Sequence, residues 1–485
     1  MTSLRTQTIS GVCWSLLQNI GGRGVSFIVT IILARILTPE IFGLIGMLAI
    51  FMQVSQALVI AGFNQALIQK KDTTEADYST VFWINLIVSL IIYVILFFAA
   101  PFIADFYHQS ILTQLTKVLS LVFIINAFSY VQETRLTKEM RFKTLAIIHI
   151  PAVVAGGIVS IVMAVMGMGV WSIIAMELIT RFVYAIQIWM YAKWKPLFVF
   201  NKTKAKKLFS FGSKLMISSI LDTVFGNIYL VVIGKFFPLS SVGYYQTANK
   251  VVTTPSSTIS NALNSVAFPA FSSIQDDNKR LKEGYKKIIQ QLLFWVCPLF
   301  ILAGVLAVPF FRFVFTEKWL PAVPYFRILC VIGILYPLNY YNLSIVNVKG
   351  RSDIFLKLEI IKKIFVTIGI ILAIPFGIWA LLAFQAVSAI FSFFLNSYYS
   401  GRFIQYTVFE QVKDILPVLL LSIGIGCIVF FMNQALEGYP DFIRLLSGFG
   451  IGGGLYWLAA KYCKISSYLD IINIFRSSFE NRFYK

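Results

Sequence analysis

The sequence predicts an all-α polytopic membrane protein with about fourteen transmembrane helices: two six-helix lobes arranged as a parallel repeat, plus two extra C-terminal helices. Three observations support this fold class. The 485 residues are 58% hydrophobic and 13% charged, with a mean hydropathy of +0.80. Long apolar runs follow one another along the chain, and a helix junction recurs far downstream. A soluble protein of this length would not carry so much apolar surface.

The recurring junction is the clearest internal repeat. Residues 34–43 read ARILTPEIFG, and residues 234–243 read GKFFPLSSVG. The small first residue, the cation, the apolar positions and the final glycine keep the same order. Weak internal repeats in a very apolar chain are typical of transporters built from two homologous lobes around a central path.

Apolar runs of about 20 residues are long enough to cross the hydrocarbon core as helices. The approximate runs are 11–36, 41–66, 78–104, 112–132, 144–167, 169–192, 212–237, 239–273, 289–315, 321–347, 357–377, 378–401, 412–434 and 441–462. They predict an N-terminal lobe (1–200), a C-terminal lobe (201–405) and a segment with two further helices and a cytoplasmic tail (406–485). Six crossings separate the first and seventh helices, so the two lobes are parallel repeats.

The charge of the loops predicts the orientation. Loops on one side are rich in Lys and Arg, at 70–71, 135–143, 193–207, 279–287 and 349–357, whereas the other side has few cations. By the positive-inside rule the basic side is cytoplasmic, and an even number of helices places both termini there. These loops explain the net charge of +20 without nucleic acid. We therefore expect a multi-pass protein of the bacterial inner membrane.

The sequence offers little for catalysis or for a cofactor. Loops outside the membrane are short and leave no room for a soluble catalytic domain, so we do not expect an enzyme. The cysteines are scattered and have no metal or disulfide spacing: Cys13, Cys297, Cys330, Cys427 and Cys463. The first apolar segment is too long and too interrupted by arginine for a cleaved signal peptide.

Charged residues lie inside two matching spans. In the first span polar residues recur every three or four positions, on one helix face: Ser15, Asn19, Arg23, Ser26 and Thr30. The seventh span repeats the face one residue out of register: Lys214, Ser218, Asp222, Phe225 and Tyr229. A charge at mid-membrane costs about 2.5–3.5 kcal/mol, so Arg23 and Asp222 are expected to face the space between the lobes. They form either a structural ion pair or a functional site.

The run 239–273 is the least lipid-like span. Amides, hydroxyls and a cation surround Pro255 and include Asn249, Lys250 and Asn261. Lipid cannot satisfy such groups, so this helix must border water or a polar ligand. Lys250 lies about midway across; it binds substrate or is hydrated in a cavity.

Other candidates carry alternatives of their own. Glu177 and Arg181 lie four residues apart, which favours mutual neutralisation, although Glu177 is also a candidate for an ion site. Arg327 lies near the outer edge of its span. Tyr340 and Asn342 offer an aromatic face and an amide suited to sugar rings, but an interfacial aromatic belt accounts equally well for some of these residues.

The charges inside the spans predict an anionic substrate. Cations outnumber acids there: Arg23, Lys214, Lys250 and Arg327 against Asp222 and Glu177. Arg presents a fork that fits phosphate oxygens, and Lys adds a point charge. Moving an ionised headgroup through hydrocarbon costs tens of kcal/mol by Born estimates, and a wet cationic groove removes most of that penalty. A lipid phosphate that carries sugars is the kind of substrate that needs such a groove.

The chain also resembles a known family. The stretch LARILTPEIFG at 33–43, followed by Gly62 and Phe63 and by the segment from Gln69 to Trp83, resembles bacterial polysaccharide translocases of the multidrug/oligosaccharidyl-lipid/polysaccharide exporter superfamily. The closest likeness is to lipopolysaccharide and colanic-acid exporters. The resemblance implies V-shaped alternating access and flipping of undecaprenyl-diphosphate-linked oligosaccharide to the outer leaflet. In related lipid II flippases a first-helix arginine contributes to a cationic cavity, and Arg23 is similar to it.

Together these features predict a flippase in which Arg23, Lys214 and Lys250 hold the diphosphate while the lobes rock. Asp222, and second to it Glu177, are the candidates for a proton or sodium site that resets the cycle. We expect a monomer in the lipid bilayer, with polysaccharide-assembly proteins as further partners. Two alternatives stay open: a cation-coupled multidrug exporter, which would prefer an anionic cavity, and a polysaccharide polymerase or ligase, which the short outer loops disfavour.

Overall fold

A computed structural model describes residues 4–60, 67–68, 70, 72–199, 216–217 and 219–472. All regular structure in these residues is helical, which confirms the predicted all-α class. Helices are expected because a backbone inside lipid must satisfy its own hydrogen bonds. The chain forms two compact units, Met1–Gly243 and Tyr244–Lys485.

The first unit is built from nine helices in its described part. They are α1 (Leu4–Ile36), α2 (Pro39–Ile60), α3 (Glu75–Tyr107), α4 (Ile111–Leu119), α5 (Leu121–Lys138), α6 (Phe142–Val165), α7 (Val170–Ala192), α8 (Ser219–Gly226) and α9 (Ile228–Phe236). The helix α6 packs between α1 and α7.

The helix α10 (Leu239–Ser273) begins in the last residues of the first unit, and the helices after it belong to the second. Those helices are α11 (Asn278–Val305), α12 (Ala307–Phe315), α13 (Val323–Val348), α14 (Ser352–Ala373), α15 (Ile378–Ile404), α16 (Val408–Ala435) and α17 (Asp441–Tyr462). Short 3₁₀ turns at Glu317–Ala322 and Ile374–Phe376 precede α13 and α15. Around Leu302, Val429 and Tyr456, α16 and α17 pack on α11.

Ten helices in the described part of the chain are long and apolar enough to cross a membrane. The pair α8 and α9, bent by 43°, makes an eleventh span if the two are taken as one. Every predicted run overlaps a helix. The helices α1, α10 and α14 are not among those that are long and apolar enough to cross a membrane. Hydroxyls and amides fill α10, and α14 carries Glu359, Lys362 and Lys363. The number fourteen therefore stays a prediction.

Two predicted runs are divided in the structure, and α11 begins at Asn278, before the predicted run 289–315. The predicted run 112–132 is divided at Ser120 into α4 and α5, and α5 continues to Lys138. The run 289–315 is broken at Leu306, between α11 and α12. The break at Leu306 lies inside apolar sequence, so the hydropathy pattern does not mark it.

The repeated junction has the same register in the structure as in the sequence. The first copy ends α1 at Ile36 and begins α2 at Pro39. The second copy ends α9 at Phe236 and begins α10 at Leu239, which is an offset of 200 residues at both boundaries. The sequence repeat is therefore also a repeat of helix ends.

Candidate functional site

Arg23 and Asp222 both lie in the first unit, on α1 and α8. Both side chains are exposed on the protein. About 20 Å of helix separate Arg23 from the end of α1 at Ile36, which places the guanidinium well inside a helix of membrane-spanning length. A charge at such a depth is stable where it meets water or a polar ligand. Lys214 lies outside the described residues.

A second charged group lies on α7. Arg181 Nε is 2.9 Å from Glu177 Oε1, so the pairing expected from the four-residue spacing is present. Both side chains are partly exposed, at 41% and 45%. Neither side chain of the pair is fully buried.

The pair on α7 belongs to a larger cluster. Arg181 also interacts electrostatically with Tyr130 and Glu133 on α5 and with His149 on α6. Sequence reasoning missed Glu133, because the predicted span ended at residue 132 and Glu133 was counted as loop. The signal that would have found it is the polar spacing of Asn126, Ser129 and Glu133 along one helix.

Amide side chains on α2 join it to neighbouring helices of the first unit. Gln53 and Asn227 exchange two hydrogen bonds, with Asn227 Nδ2 donating to Gln53 Oε1 at 3.1 Å and Gln53 Nε2 to Asn227 Oδ1 at 3.4 Å. Asn227 is the residue between α8 and α9 where the chain bends. One turn along α2, Gln56 Nε2 donates to Tyr130 Oη at 2.5 Å. Polar side-chain contacts thus join α2 to α5 and to the bend between α8 and α9.

In the second unit α10 presents a ladder of hydroxyl groups. Lys250, Thr253 and Thr254 are exposed. Thr253 Oγ1 donates to the Asn249 carbonyl at 2.8 Å, and Thr254 Oγ1 donates to the Lys250 carbonyl at 2.7 Å. These bonds satisfy the hydroxyl protons inside the helix and leave oxygen lone pairs free to accept. Asn261 lies on α10, but its side chain is outside the described residues.

A pair of stacked tyrosines lies on α13. The rings of Tyr336 and Tyr340 are 6.4 Å apart between centroids and inclined by 20°. Tyr336 is 40% exposed. Next to them, Tyr341 is buried, and its hydroxyl donates to the Ser260 carbonyl at 3.3 Å, which joins α13 to α10. Exposed parallel aromatic rings inside a span offer a face to a flat or ring-shaped ligand.

Asn342 and Arg327 bind to other parts of the second unit. Asn342 is fully buried; it donates to Ser397 Oγ at 3.0 Å and accepts from Ser400 Oγ at 2.5 Å. A sugar could reach its amide only by displacing these two serines. Arg327 is exposed, and its Nε donates to the Gly304 carbonyl at 3.1 Å, near the end of α11. A cation at a helix C-terminus is stabilised by the helix dipole.

At the basic ends of the helices several cations are held in local contacts. Lys138 donates to the carbonyls of Leu67 at 3.2 Å and Lys70 at 2.5 Å, and to Thr73 Oγ1. Lys70 in turn pairs with Asp77 at 2.6 Å. In the second unit, hydrogen bonds from Arg351 lower the pKa of the Asp353 carboxyl to about 2. The basic loops therefore also fix the chain locally.

These features define a helical multi-pass membrane protein with charged and polar side chains inside its spans, an arrangement typical of transporters. The chain belongs to the family of polysaccharide biosynthesis proteins, whose sequence model matches residues 32–324. The match covers more than half of the chain and includes the first junction. It confirms the resemblance read from residues 33–83.

Two relatives are similar over most of their length. The teichuronic acid biosynthesis protein TuaB of Bacillus subtilis is 27% identical over 477 residues, covering 97% of this chain and 99% of TuaB. The lipopolysaccharide biosynthesis protein WzxC of Escherichia coli is 25% identical over 438 residues, covering 88% and 89%. The fold resembles the lipid II flippase MurJ in an inward closed conformation, with a TM-score of 0.71, 14% identity and coverage of 94% and 99%. At that identity the likeness to MurJ concerns the fold alone.

Proposed function

We propose that the protein flips an undecaprenyl-diphosphate-linked oligosaccharide across the bacterial inner membrane by alternating access, for the synthesis of a surface polysaccharide. The observation that carries this proposal is the exposure of Arg23 and Lys250 on long helices of a polysaccharide biosynthesis protein. TuaB and WzxC are named as biosynthesis proteins for teichuronic acid and lipopolysaccharide, which supports a role in polysaccharide synthesis, and the chain shares its fold with the flippase MurJ.

The proposed roles follow the chemistry of the side chains. Arg23 and Lys250 bind the diphosphate, with Lys214 and Arg327 as further cations along its path. The fork of Arg23 accepts two phosphate oxygens, whereas an ammonium group can follow a moving anion. The stacked Tyr336 and Tyr340 hold sugar rings, and hydroxyl groups of α10 with Asn249 and Asn261 hydrogen-bond them.

We further propose that a proton or sodium ion drives the return of the empty protein. Glu177 and Asp222 are the candidate sites, and the cluster around Arg181 adds Glu133 as a second carboxylate. In this topology the basic helix ends and both termini are cytoplasmic, since short Lys-rich and Arg-rich loops stay inside. The protein acts as a monomer beside polysaccharide-assembly proteins.

Deletion of the gene tests this function in cells. Without a flippase, single lipid-linked oligosaccharide units accumulate and stay inaccessible to an added lectin that cannot cross the inner membrane. Without a polymerase, the same units would be reached by the lectin in spheroplasts. If the accumulated units in the deletion strain are labelled by the lectin as strongly as in a polymerase mutant, the proposal is contradicted. Increased drug sensitivity of the deletion strain without a glycan defect would favour a drug exporter.

A further inference from the structure

The two copies of the repeated junction pack directly against each other within the first unit. α2 begins at Pro39 and reaches Gly43 four residues later, and α10 begins at Leu239 and reaches Gly243 in the same number of steps. A Cβ on Gly43 would collide with the carbonyl oxygen of Leu239, and a Cβ on Gly243 would collide with the carbonyl oxygen of Pro39. The contact is reciprocal, so a local two-fold axis relates the copies.

At the centre of the contact the two glycines approach each other through backbone atoms, with the side chain of Leu239 beside Gly43. The Cβ positions of Gly43 and Gly243 would each lie 3.3 Å from the backbone nitrogen of the other glycine. Helices that approach this closely need glycine, because any side chain separates the backbones. The neighbouring residues differ between the copies, with Phe42 opposite Val242 in the repeat, whereas glycine occurs in both.

Beside this contact, the second copy is joined to the end of α3. Lys235 Nζ donates to the Phe106 carbonyl at 2.6 Å, at the end of α3. A Cβ on Gly234 would lie 2.9 Å from the ring of Tyr107. Deeper along α2, Gln53 binds Asn227. The glycine contact therefore lies at the helix starts, with the amide pair farther inside.

We propose that the Gly43–Gly243 contact, which we call the glycine seam, closes the outer end of the transport path and parts when the path opens outward. The inference rests on the proposed function, because the junction lies on the cation-poor side that the positive-inside rule makes external. The two glycines carry no side chains that could interlock, so the contact between them can separate and re-form without rotamer changes at either glycine. A side chain at either glycine blocks the closed state and shifts the population towards the open one.

Accessibility of a cysteine below the seam tests this directly. The reporter is Gln53→Cys, in a chain whose Cys13, Cys297, Cys330, Cys427 and Cys463 are replaced by alanine. About 15 Å of helix separate Gln53 from Gly43. Intact spheroplasts are treated with a membrane-impermeant maleimide, and the labelling rate is measured. We expect Gly43→Ala and Gly243→Ala each to raise that rate several-fold.

The matched control is Gly424→Ala on α16, where an added Cβ meets no atom within 4 Å. It should leave the labelling rate unchanged. Rates that are equal in the seam variants and in the control, for protein that is monodisperse in detergent, would overturn the proposal. The labelling assay needs no glycan. If the seam variants are labelled faster but the wild-type protein flips no substrate, the proposed function is contradicted and the proposal about the seam is not.

A second variant covers the case in which the alanine substitutions prevent folding. Pro39→Cys combined with Leu239→Cys leaves both glycines in place and can be joined by a short, disulfide-containing bismaleimide. We expect the cross-link to stop polysaccharide export and reduction of the linker to restore it. Export by each single-cysteine variant should be unaffected by the reagent. Full export by completely cross-linked protein would overturn the proposal.

Discussion

Glu177 and Arg181 form an ion pair one turn apart on α7, with 2.9 Å between Arg181 Nε and Glu177 Oε1. The same guanidinium interacts with Glu133 on α5. The cluster therefore holds two carboxylates and one arginine, together with His149, Tyr130 and Tyr184.

The first prediction concerns this cluster. Glu177→Gln and Glu133→Gln each remove one of the two carboxylates near Arg181, so transport should lose its dependence on a proton or sodium gradient while substrate binding persists. Flipping by the purified variants in liposomes, with and without each imposed gradient, measures this. The matched control is Glu437→Gln, at an exposed position after α16. Gradient dependence in both cluster variants equal to that of the control would exclude the cluster as the coupling site.

Arg23 is expected to bind the diphosphate. Arg23→Ala should stop surface polysaccharide production at a normal protein level, because the anion loses a two-pronged partner inside the membrane. Arg23→Lys should retain part of the activity, since the charge stays but the fork is lost. Polysaccharide staining and immunoblotting measure the two quantities. Wild-type production in Arg23→Ala would remove this residue from the site. Arg280→Ala, at the exposed start of α11, serves as the control.

The tyrosine pair on α13 is expected to contact sugars through its ring faces. Tyr340→Ala should reduce the flipping rate several-fold, whereas Tyr340→Phe should keep most of it, because the aromatic face remains. A lipid diphosphate without sugars should be moved equally well by both variants. Equal loss in the alanine and phenylalanine variants would assign the effect to the hydroxyl group instead. Tyr462→Ala, at the exposed end of α17, is the control.

The substitution Asn342→Ala distinguishes a structural role of this residue from a contact with sugar. Asn342→Ala leaves Ser397 and Ser400 without their amide partner, and an unsatisfied buried polar group costs about 1–3 kcal/mol. We expect a lower thermal unfolding temperature in detergent and a normal flipping rate per folded molecule. Unchanged stability together with slow flipping would instead support the sugar contact. Asn347→Ala, at an exposed site on the same helix, controls for the substitution itself.

The sequence predicted the fold more fully than the site. Composition and apolar runs were enough for the helical class, and the bounds of α10 and α17 coincide with the predicted runs. The junction repeat predicted helix ends at both copies, because turn residues and glycines are local signals. Apolar runs could not show the break at Leu306, since both sides of this break are apolar.

A local sequence pattern does not predict contacts between residues that are far apart in the chain. Gln53 and Asn227 are 174 residues apart, and their pairing at the bend between α8 and α9 follows from packing alone. Glu133 lay one residue beyond a predicted span and was missed. The contact of Gly43 with Gly243 joins two positions that the repeat had aligned, but alignment of two copies does not require that they touch.

The most direct test of the proposed function is flipping by the purified protein. Fluorescent undecaprenyl-diphosphate oligosaccharide is placed in both leaflets of liposomes, and a membrane-impermeant reductant bleaches the outer leaflet. We expect wild-type protein to bring the protected half of the fluorophore to the reductant, and Arg23→Ala protein to leave it protected. Protection of half the fluorophore in the presence of folded wild-type protein, under every imposed ion gradient, would contradict a flippase.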